Sequence, residues 1–547
     1  MIGPRQETYL HTGRVLLGVI LLWAALAMPD RLAALTATPS VPGLPVELCI
    51  ALAVLCIAPY RLLAPAAGLI VVLVALVTAI KLADIATFAA FNRAFNPLLD
   101  HQLPGFGWNV LSTSIGTPLA VLSVVAVLTV WLVVMALIGW ALAGLRVWPG
   151  PTRGAIAGLC LVAIVVSAII RTSAPGAAPL EFQATRLVVD RTVSVIRAAR
   201  DLHEFRQALA KEGSAHPPDT LLAGLAGHDV LLVFVESYGR TVFERPLYAQ
   251  TIGARLSAFE GQIAAAGFDA RSGWLRSPTA GGQSWLAHGT LLSGLWIDNQ
   301  PRYEALVDSE RVSLNRQFAR AGWRTAAVMP AITRDWPQAR WFGYDRLYDS
   351  RNLGYAGPPF NWVTMPDQYT LAALDRRLLA PGHDRPVMIE TALISSHAPW
   401  TPIPPLIDWQ QVGDGAVFDE YARAGDPPEV VWQDADRVRR QYRKAIDYSL
   451  ATLASFITER ARDDLVIIVL GDHQPAPLIT GAEATRDVPM HIIARDPAVL
   501  AAIDAWHWGL GMTPPPDLAV WPMDAFYERF LIAFSQSPHA LDETSTP

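Results

Sequence analysis

The sequence predicts an α-helical membrane domain of five spans, followed by an α/β domain with a largely parallel central sheet covered by helices. Residues before Arg171 are mostly Leu, Val, Ala and Ile, whereas charged residues become frequent after it. After Pro217, short apolar runs alternate with helical patterns, which is typical of parallel strands joined by helices. We therefore divide the chain into a membrane domain (1–171), an amphipathic linker or stalk (172–216) and an outer domain (217–547).

The composition agrees with a membrane protein and excludes some function classes. Hydrophobic residues make up 52% and charged residues 17% of the chain, with a mean hydropathy of +0.29. The net charge of −6 gives no basic surface for nucleic acid. The 3 cysteines all lie before Arg171, so the outer domain has neither a disulfide framework nor a thiolate metal site.

Five apolar runs are candidate spans, namely 15–28, 44–58, 62–80, 119–145 and 155–170. The first is shorter than the ~20 residues that a span needs, unless residues 9–12 extend it. Its alternative is a cleaved signal peptide, which is disfavoured because no small-residue cleavage pattern follows and four more spans do.

The arginine bias predicts the topology of these spans. One set of loops carries Arg5, Arg14, Arg61, Arg146 and Arg153, whereas the alternate loops carry Arg31 and Arg93 with acidic neighbours. The amino terminus should therefore be cytoplasmic, and five spans then place the outer domain on the far side. Because richness in Ala, Arg and Pro is typical of a GC-rich bacterial genome, we expect a multi-pass protein of the bacterial inner (cytoplasmic) membrane. Its outer domain should face the periplasm or the exterior, and the helical pattern 187–209 should lie on or near the membrane.

In the outer domain the predicted strands are 229–235, 323–329, 386–394, 465–470 and 488–493, and the predicted helices are 313–321, 368–379 and 433–461. Ligands of such sheets collect at the carboxyl ends of the strands.

Acidic and histidine side chains follow two of these strands directly. Glu236 follows the strand 229–235, and Asp472 and His473 follow the strand 465–470. Such groups are costly to bury without a charge partner, and a divalent cation would supply one. Two carboxylates, an imidazole and a hydroxyl favour Mn²⁺ or Mg²⁺, with Zn²⁺ as an alternative. The structural alternative is a helix cap at Glu236 and a turn at Asp472.

The hydroxyl is predicted to come from the stretch 277–294. Gly281 and Gly282 allow the backbone to approach a ligand closely, and Ser284 then begins a helical pattern. A serine at a helix amino terminus faces free amides and the positive end of the dipole, which favour an alkoxide and a phosphoryl group. A simple N-cap serine is the alternative.

Together these motifs resemble the extracytoplasmic sulfatase-like domain of lipoteichoic acid synthase and of related phosphoglycerol and phosphoethanolamine transferases, within the alkaline phosphatase superfamily. Members of that family also carry five amino-terminal spans. The resemblance implies an alkaline-phosphatase-like α/β fold and one metal ion bound by Glu236, Ser284, Asp472 and His473. It also implies that Ser284 is the nucleophile.

Two further segments resemble the family less closely. The stretch 395–399 (Ser-Ser-His-Ala-Pro) matches a Ser-His-x-Pro segment, which implies that His397 donates to the substrate phosphate or to the leaving oxygen. Support of a loop is its alternative role. Arg334, Trp336 and Arg340 precede the run 342–345 (Phe-Gly-Tyr-Asp), as the family's headgroup-binding Trp and Arg do. Since the spacing differs, the sequence leaves open which arginine serves.

The sequence also departs from the family. Most of those transferases use threonine, whereas the nucleophile predicted here is serine; a metal can lower the pKa of either alcohol. The Cys/Ser-x-Pro-x-Arg signal for formylglycine is absent after Ser284, so sulfate ester hydrolysis is not expected. The lack of cysteine outside the membrane disfavours the branch that modifies lipid A. A second set of Asp and His ligands, which two-metal phosphatases need, cannot be assigned in this sequence.

The function expected is metal-dependent transfer of a phosphoglycerol or phosphoethanolamine headgroup from a membrane phospholipid to a glycan or other envelope acceptor, through a phosphoserine. The alternatives are a phosphodiesterase or phosphatase, with water as acceptor, and a non-catalytic lipid-binding relative. A transporter is disfavoured, because the spans hold few ionisable residues away from their ends. We expect His491 to be a strand residue and His288 to lie on a helix surface. The oligomeric state is left open.

Overall fold

The computed structural model describes residues 4–31, 43–173, 180–209, 220–380, 382 and 384–535. The chain forms two compact units, Met1–Ala89 with Arg93–Asp201, and Ala90–Asn92 with Leu202–Pro547. Parts of the predicted linker, residues 174–179 and 210–216, lie outside the described residues.

The first unit is helical. Its helices are Pro4–Ala27, Val46–Ile57, Leu63–Phe91, Leu103–Ile115, Thr117–Leu142, Gly150–Ser173 and Ala184–Leu209, the last of which ends in the second unit. The helix Leu103–Ile115 lies between the third and fourth predicted spans, 62–80 and 119–145. Two short strands, β1 (Leu44–Pro45) and β2 (Leu180–Glu181), pair in parallel.

Among the described residues, three helical segments are long and apolar enough to cross a membrane, Leu63–Phe91, Thr117–Val147 and Gly150–Ser173. The first two predicted spans fall on the shorter apolar helices His11–Ala27 and Val46–Ile57. A helix of 12 residues, such as Val46–Ile57, rises only about 18 Å, whereas the apolar core of a bilayer is about 30 Å thick. The count of five spans therefore stays a prediction.

The second unit contains a sheet of 9 strands. The strands are β3 (Asp229–Val235), β4 (Asp269–Arg276), β5 (Arg324–Met329), β6 (Arg346–Asp349), β7 (Val387–Leu393), β8 (Leu465–Gly471), β9 (Asp487–Ala494), β10 (Gly509–Leu510) and β11 (Val520–Pro522). Their order is β10-β4-β9-β8-β3-β7-β5-β6, with β11 beside β4. The neighbouring strands β8, β3, β7, β5 and β6 all run parallel to one another, whereas β9 is antiparallel to both β8 and β4. The sheet is therefore mixed and mostly parallel.

The helices of this unit are Thr241–Glu244, Pro246–Ala265, Ser284–Ser293, Gln300–Val307, Leu314–Arg320, Ala339–Phe342, Asp367–Leu374, Asp419–Ala422, Pro428–Val431, Ala435–Arg460, Pro477–Thr480, Pro497–Ala501 and Ala525–Phe534. The predicted helix 368–379 is in fact an α-helix, Asp367–Leu374, that continues as the π-helical turn Asp375–Leu379.

Two apolar cores cover the two faces of the sheet. Alternate residues of β3 point to opposite faces, so Leu231 and Val233 enter one core, while Leu232 and Phe234 enter the other. The helix Ala435–Arg460 packs in the first core and Ser284–Ser293 in the second. Because both faces of the sheet are covered, the polar residues that follow the buried strands lie at the edge where those strands end.

Candidate active site

Three neighbouring strands end together at one edge of the sheet. In the register of β3 with β8, Val235 pairs with Gly471, and in that of β3 with β7, Val235 pairs with Leu393. The residues that follow, among them Glu236 and Asp472, therefore emerge side by side.

The backbone of Glu236 is held by the end of β7 and the segment that follows it. Its amide donates to the carbonyl oxygen of Leu393 (3.0 Å), and its carbonyl oxygen accepts from the hydroxyl of Ser396 (2.6 Å). The next residue, Ser237, has a φ of 58° and donates its hydroxyl to Glu236 Oε1 (2.8 Å). The carboxylate of Glu236 is therefore fixed in position at the end of β3.

Asp472 and His473 are oriented by backbone groups. Asp472 Oδ1 accepts from the amides of Ser237 (2.8 Å) and His473 (2.6 Å). The imidazole Nδ1 of His473 lies 2.9 Å from the carbonyl oxygen of Gln474 and donates to it, because that oxygen can only accept. His473 Nε2 therefore faces the carboxylates of Glu236 and Asp472, and it can bind a cation once it is deprotonated.

A sharp turn brings Ser284 to this edge. The amide of Gly281 donates to the carbonyl oxygen of Gln474 (2.7 Å), directly after His473. Gly281, Gly282 and Gln283 then have positive φ values of 75°, 142° and 64°, and the helix Ser284–Ser293 begins at the next residue. Glycine suits the first two of these positions, because residues with a Cβ rarely adopt positive φ; Gln283 is an exception.

The four side chains predicted to bind a metal lie together. Ser284 Oγ is 3.1 Å from Glu236 Oε2 and 3.2 Å from His473 Nε2. His473 Nε2 is 3.4 Å from Glu236 Oε1 and 3.6 Å from Asp472 Oδ2. The ligand atoms of Glu236, Asp472 and His473 all lie within 4.8 Å of one another, and all three residues are buried. Their role as ligands stays a prediction.

The electrostatics of the cluster suit a divalent cation. Burial raises the pKa of Glu236, but the charges of His473 and His397 outweigh this and lower it to about 2. Burial and the charge of Glu236 together raise the pKa of Asp472 to about 6. Two carboxylates in one buried volume repel each other, and a divalent cation among them would relieve that repulsion. Oxygen and imidazole ligands do not by themselves select among Mn²⁺, Mg²⁺ and Zn²⁺.

His397 lies at the same edge, after β7. Its Nδ1 contacts the carbonyl oxygen of Ala398 (2.5 Å), so its Nε2 is available to a ligand. The ring centroid lies 6.3 Å from that of Trp362, and the side chain lines a small cavity with Phe360 and Trp400. Since its charge lowers the pKa of Glu236, His397 lies within electrostatic range of the cluster.

Arg334, Trp336 and Arg340, which the sequence predicts to bind the headgroup, have different surroundings. Trp336 packs against Phe342 and Tyr344, with ring centroids 5.2 and 6.2 Å apart. Arg340 lines a surface cavity of about 650 Å³, and Arg334 is exposed. Among the described residues, neither arginine forms a hydrogen bond or ion pair with the four clustered side chains. Their role in binding stays a prediction.

His288 is not on a helix surface, as the sequence led us to expect. Its side chain is only 11% exposed, its ring stacks on Phe234 at 3.7 Å, and its Nδ1 lies 2.7 Å from Glu390 Oε1. Glu390 Oε2 also accepts from the hydroxyl of Tyr344 (2.5 Å) and from Asn315 Nδ2 (3.1 Å). This network ties the helix of Ser284 to the segment that carries Trp336. The sequence analysis missed Glu390, although a lone carboxylate within an apolar strand was a signal for it.

His491 lies inside β9 and is fully buried. Its Nδ1 is 2.7 Å from the hydroxyl of Ser272, and its Nε2 is 3.3 Å from that of Tyr238. Both nitrogens are engaged away from the cluster.

No protein-family model and no curated protein matches the sequence. Several solved structures are similar to the chain. The lipoteichoic acid synthase LtaP from Listeria monocytogenes is 13% identical with a TM-score of 0.38, covering 62% of this chain and 78% of that one. A protein of the alkaline phosphatase superfamily from Vibrio parahaemolyticus is 15% identical with a TM-score of 0.34, covering 55% and 69%. The phosphoglycerol transferase GacH from Streptococcus pyogenes, in complex with sn-glycerol-1-phosphate, is 11% identical with a TM-score of 0.37, covering 62% and 82%.

The solved structures to which the chain is similar therefore include a lipoteichoic acid synthase, a phosphoglycerol transferase and a protein of the alkaline phosphatase superfamily. At TM-scores below 0.5, this similarity carries no argument about substrate or mechanism.

Proposed function

We propose that the protein transfers a phosphorus-containing headgroup from a membrane phospholipid to a hydroxyl of a glycan or other envelope acceptor, through a phosphorylated Ser284. The observation that carries the proposal is the position of Ser284 Oγ, at a helix amino terminus and 3.1 and 3.2 Å from Glu236 and His473. An alcohol in this setting is suited to attack phosphorus, because its own helix presents free amides to the transferred group.

In the first step Ser284 Oγ bonds to phosphorus, and the bond from phosphorus to the diacylglycerol oxygen breaks. Glu236 Oε2, which lies 3.1 Å from Ser284 Oγ and accepts its hydrogen bond, takes up the proton of that hydroxyl. His397, whose Nε2 is available, donates a proton to the leaving oxygen. In the second step the acceptor oxygen bonds to phosphorus and the bond from phosphorus to Ser284 Oγ breaks. His397 takes up the proton of the acceptor hydroxyl, and Glu236 returns its proton to Ser284 Oγ.

The residues that would hold one divalent cation are Glu236, Ser284, Asp472 and His473. When bound, the cation would lower the pKa of the Ser284 hydroxyl and neutralise charge on the phosphoryl oxygens. Apolar helices long enough to span a bilayer support a lipid donor, because they would keep the protein in the membrane that holds it. We place the site on the periplasmic or extracellular side.

The proposal is tested with the purified full chain, Mn²⁺ and phosphatidylglycerol or phosphatidylethanolamine labelled in the headgroup. We expect mass spectrometry to find the headgroup phosphate on Ser284, Ser284→Ala to lose this adduct, and Ser284→Thr to keep it. A wild-type protein that binds the metal but neither forms the adduct nor releases diacylglycerol would contradict the proposal. Label that appears only as free headgroup phosphate, with the glycan acceptor present, would instead assign water as the acceptor.

A further inference from the structure

In the first unit, one side of the helix Ala184–Leu209 packs against other helices of the same unit. Within that unit Ala184 and Leu187 join the apolar cluster of the spanning helices. Arg191 Nη2 donates to Asp84 Oδ2 (2.7 Å), and the hydroxyl of Ser194 accepts from Asn96 Nδ2 (2.9 Å). At about 100° per residue these positions lie on one side of the helix.

The opposite side of the helix presents apolar residues to solvent. Val189, Val193 and Ile196 are 53%, 37% and 48% exposed. Their spacing of four and three residues makes them one continuous stripe. An apolar stripe beside spanning helices is typical of a helix that lies in the membrane interface.

Two arginines extend this face by one turn. Arg197 follows Val193 by four residues, and Arg200 follows Ile196 by four residues, so both are in line with the apolar stripe. Both are exposed, and in the described part of the chain neither forms a hydrogen bond or ion pair. We call these five residues the interfacial face: Val189, Val193, Ile196, Arg197 and Arg200.

We propose that the interfacial face binds anionic phospholipids at the outer surface of the bilayer. The valines and the isoleucine enter the boundary between headgroups and acyl chains, and the guanidinium groups contact lipid phosphates. The charge of the arginines complements an anionic headgroup, and the spanning helix Gly150–Ser173 precedes this helix in the same unit. The proposal does not depend on the reaction at Ser284.

The test uses the full chain in lipid nanodiscs, with an environment-sensitive fluorophore on Val193→Cys. The native cysteines are buried, so a serine background at Cys49, Cys56 and Cys160 removes residual labelling. We expect emission shifted to the blue and quenched by lipids spin-labelled near the headgroup, with a larger shift in discs that contain phosphatidylglycerol than in pure phosphatidylcholine. Emission that stays water-like in both kinds of disc, or a shift that needs an added soluble protein, overturns the proposal.

The matched variants separate specific contacts from general charge. Arg197→Gln with Arg200→Gln should abolish the difference between the two kinds of disc. Arg206→Gln should keep it, because Arg206 lies on the opposite side of the helix from Arg197, nine residues away at about 100° per residue. If Arg206→Gln and the double variant reduce the difference in emission shift between the two kinds of disc equally, the assignment to the interfacial face is overturned.

Discussion

Glu390 lies in the middle of β7 with its side chain fully buried. A carboxylate in such a place is costly unless its oxygens are hydrogen-bonded, and donors from His288, Asn315 and Tyr344 serve it. Because His288 is one turn beyond Ser284, the same contacts hold the helix that begins at Ser284.

We expect Glu390→Gln to lower the free energy of unfolding by about 1–3 kcal/mol, because a neutral amide cannot make the charge-assisted hydrogen bonds that the carboxylate accepts from Tyr344 and Asn315. Thermal unfolding of the purified chain measures this. Thr391→Val is the matched control. It is the next buried residue of β7, and its hydroxyl donates to the carbonyl oxygen of Val328 (2.9 Å). Its loss removes one neutral hydrogen bond and should lower the free energy of unfolding by only about 0.5–1.5 kcal/mol. Equal stability of wild type and Glu390→Gln would contradict the role given to the network.

His491 makes stability depend on pH. Burial lowers the pKa of His491 to about 3, well below its ordinary value of 6.5. The Ser272 hydroxyl donates to the carbonyl oxygen of Gly511 and therefore accepts from Nδ1, which leaves Nε2 to accept from Tyr238. This arrangement suits only the neutral imidazole.

Below pH 6.5 the unfolded chain takes up a proton at His491 that the folded chain refuses. Stability from this group is therefore present above pH 6.5 and falls between pH 6.5 and 3, by about 1.4 kcal/mol per pH unit. The unfolding free energy of His491→Gln, measured from pH 7 to 4, should fall less steeply than that of wild type. His507→Asn, at an exposed position, should keep the wild-type slope. Parallel slopes for wild type and His491→Gln would contradict this reading.

At the scale of elements, the site depends on how closely two strand ends approach. A Cβ on Gly471 would lie 1.8 Å from the carbonyl oxygen of Tyr238. Glycine at this position therefore lets the end of β8 meet the turn after β3, and Asp472 is the next residue.

Gly471→Ala should destabilise the protein by about 1–3 kcal/mol and weaken metal binding, because the backbone must move apart where Asp472 begins. Gly253→Ala is the matched control. It lies inside the helix Pro246–Ala265 with nothing within 4 Å of the new Cβ, so it should be neutral or stabilise by about 0.5–1 kcal/mol. Calorimetric metal titration and thermal unfolding measure both effects. Unchanged metal affinity in a folded Gly471→Ala protein would contradict the prediction that metal binding depends on the close approach of the end of β8 to the turn after β3.

At the scale of the whole molecule, residues from β3, β8 and the helix Ser284–Ser293 converge, so a bound ion would link distant parts of the chain. A metal that binds only the folded state adds about 2.7 kcal/mol of stability at a concentration of 100 times its Kd. We expect a chelator to lower the melting temperature, Mn²⁺ to restore it, and Asp472→Asn to abolish the response. Identical melting of wild type with and without chelator would contradict the metal assignment.

The sequence alone determined the type of each strongly patterned element. β3 and β8 are continuous apolar runs, so their bounds are close to those predicted, and the residues just after them are the ones that cluster. β4 was missed because it contains Arg271, Ser272 and Gly273, and no local apolar pattern marks it as a strand. It is held instead by pairing with β9 and by Trp508 against Gly273.

The tertiary structure decided what local pattern does not encode. The antiparallel direction of β9, the burial of His288 and the carboxylate partner of its imidazole all depend on contacts between residues far apart in the chain. A helical or strand period states which residues share a face, but not which face meets which partner. The clustering of the side chains that follow β3 and β8 was predictable, because the carboxyl ends of neighbouring parallel strands lie at the same edge of a sheet.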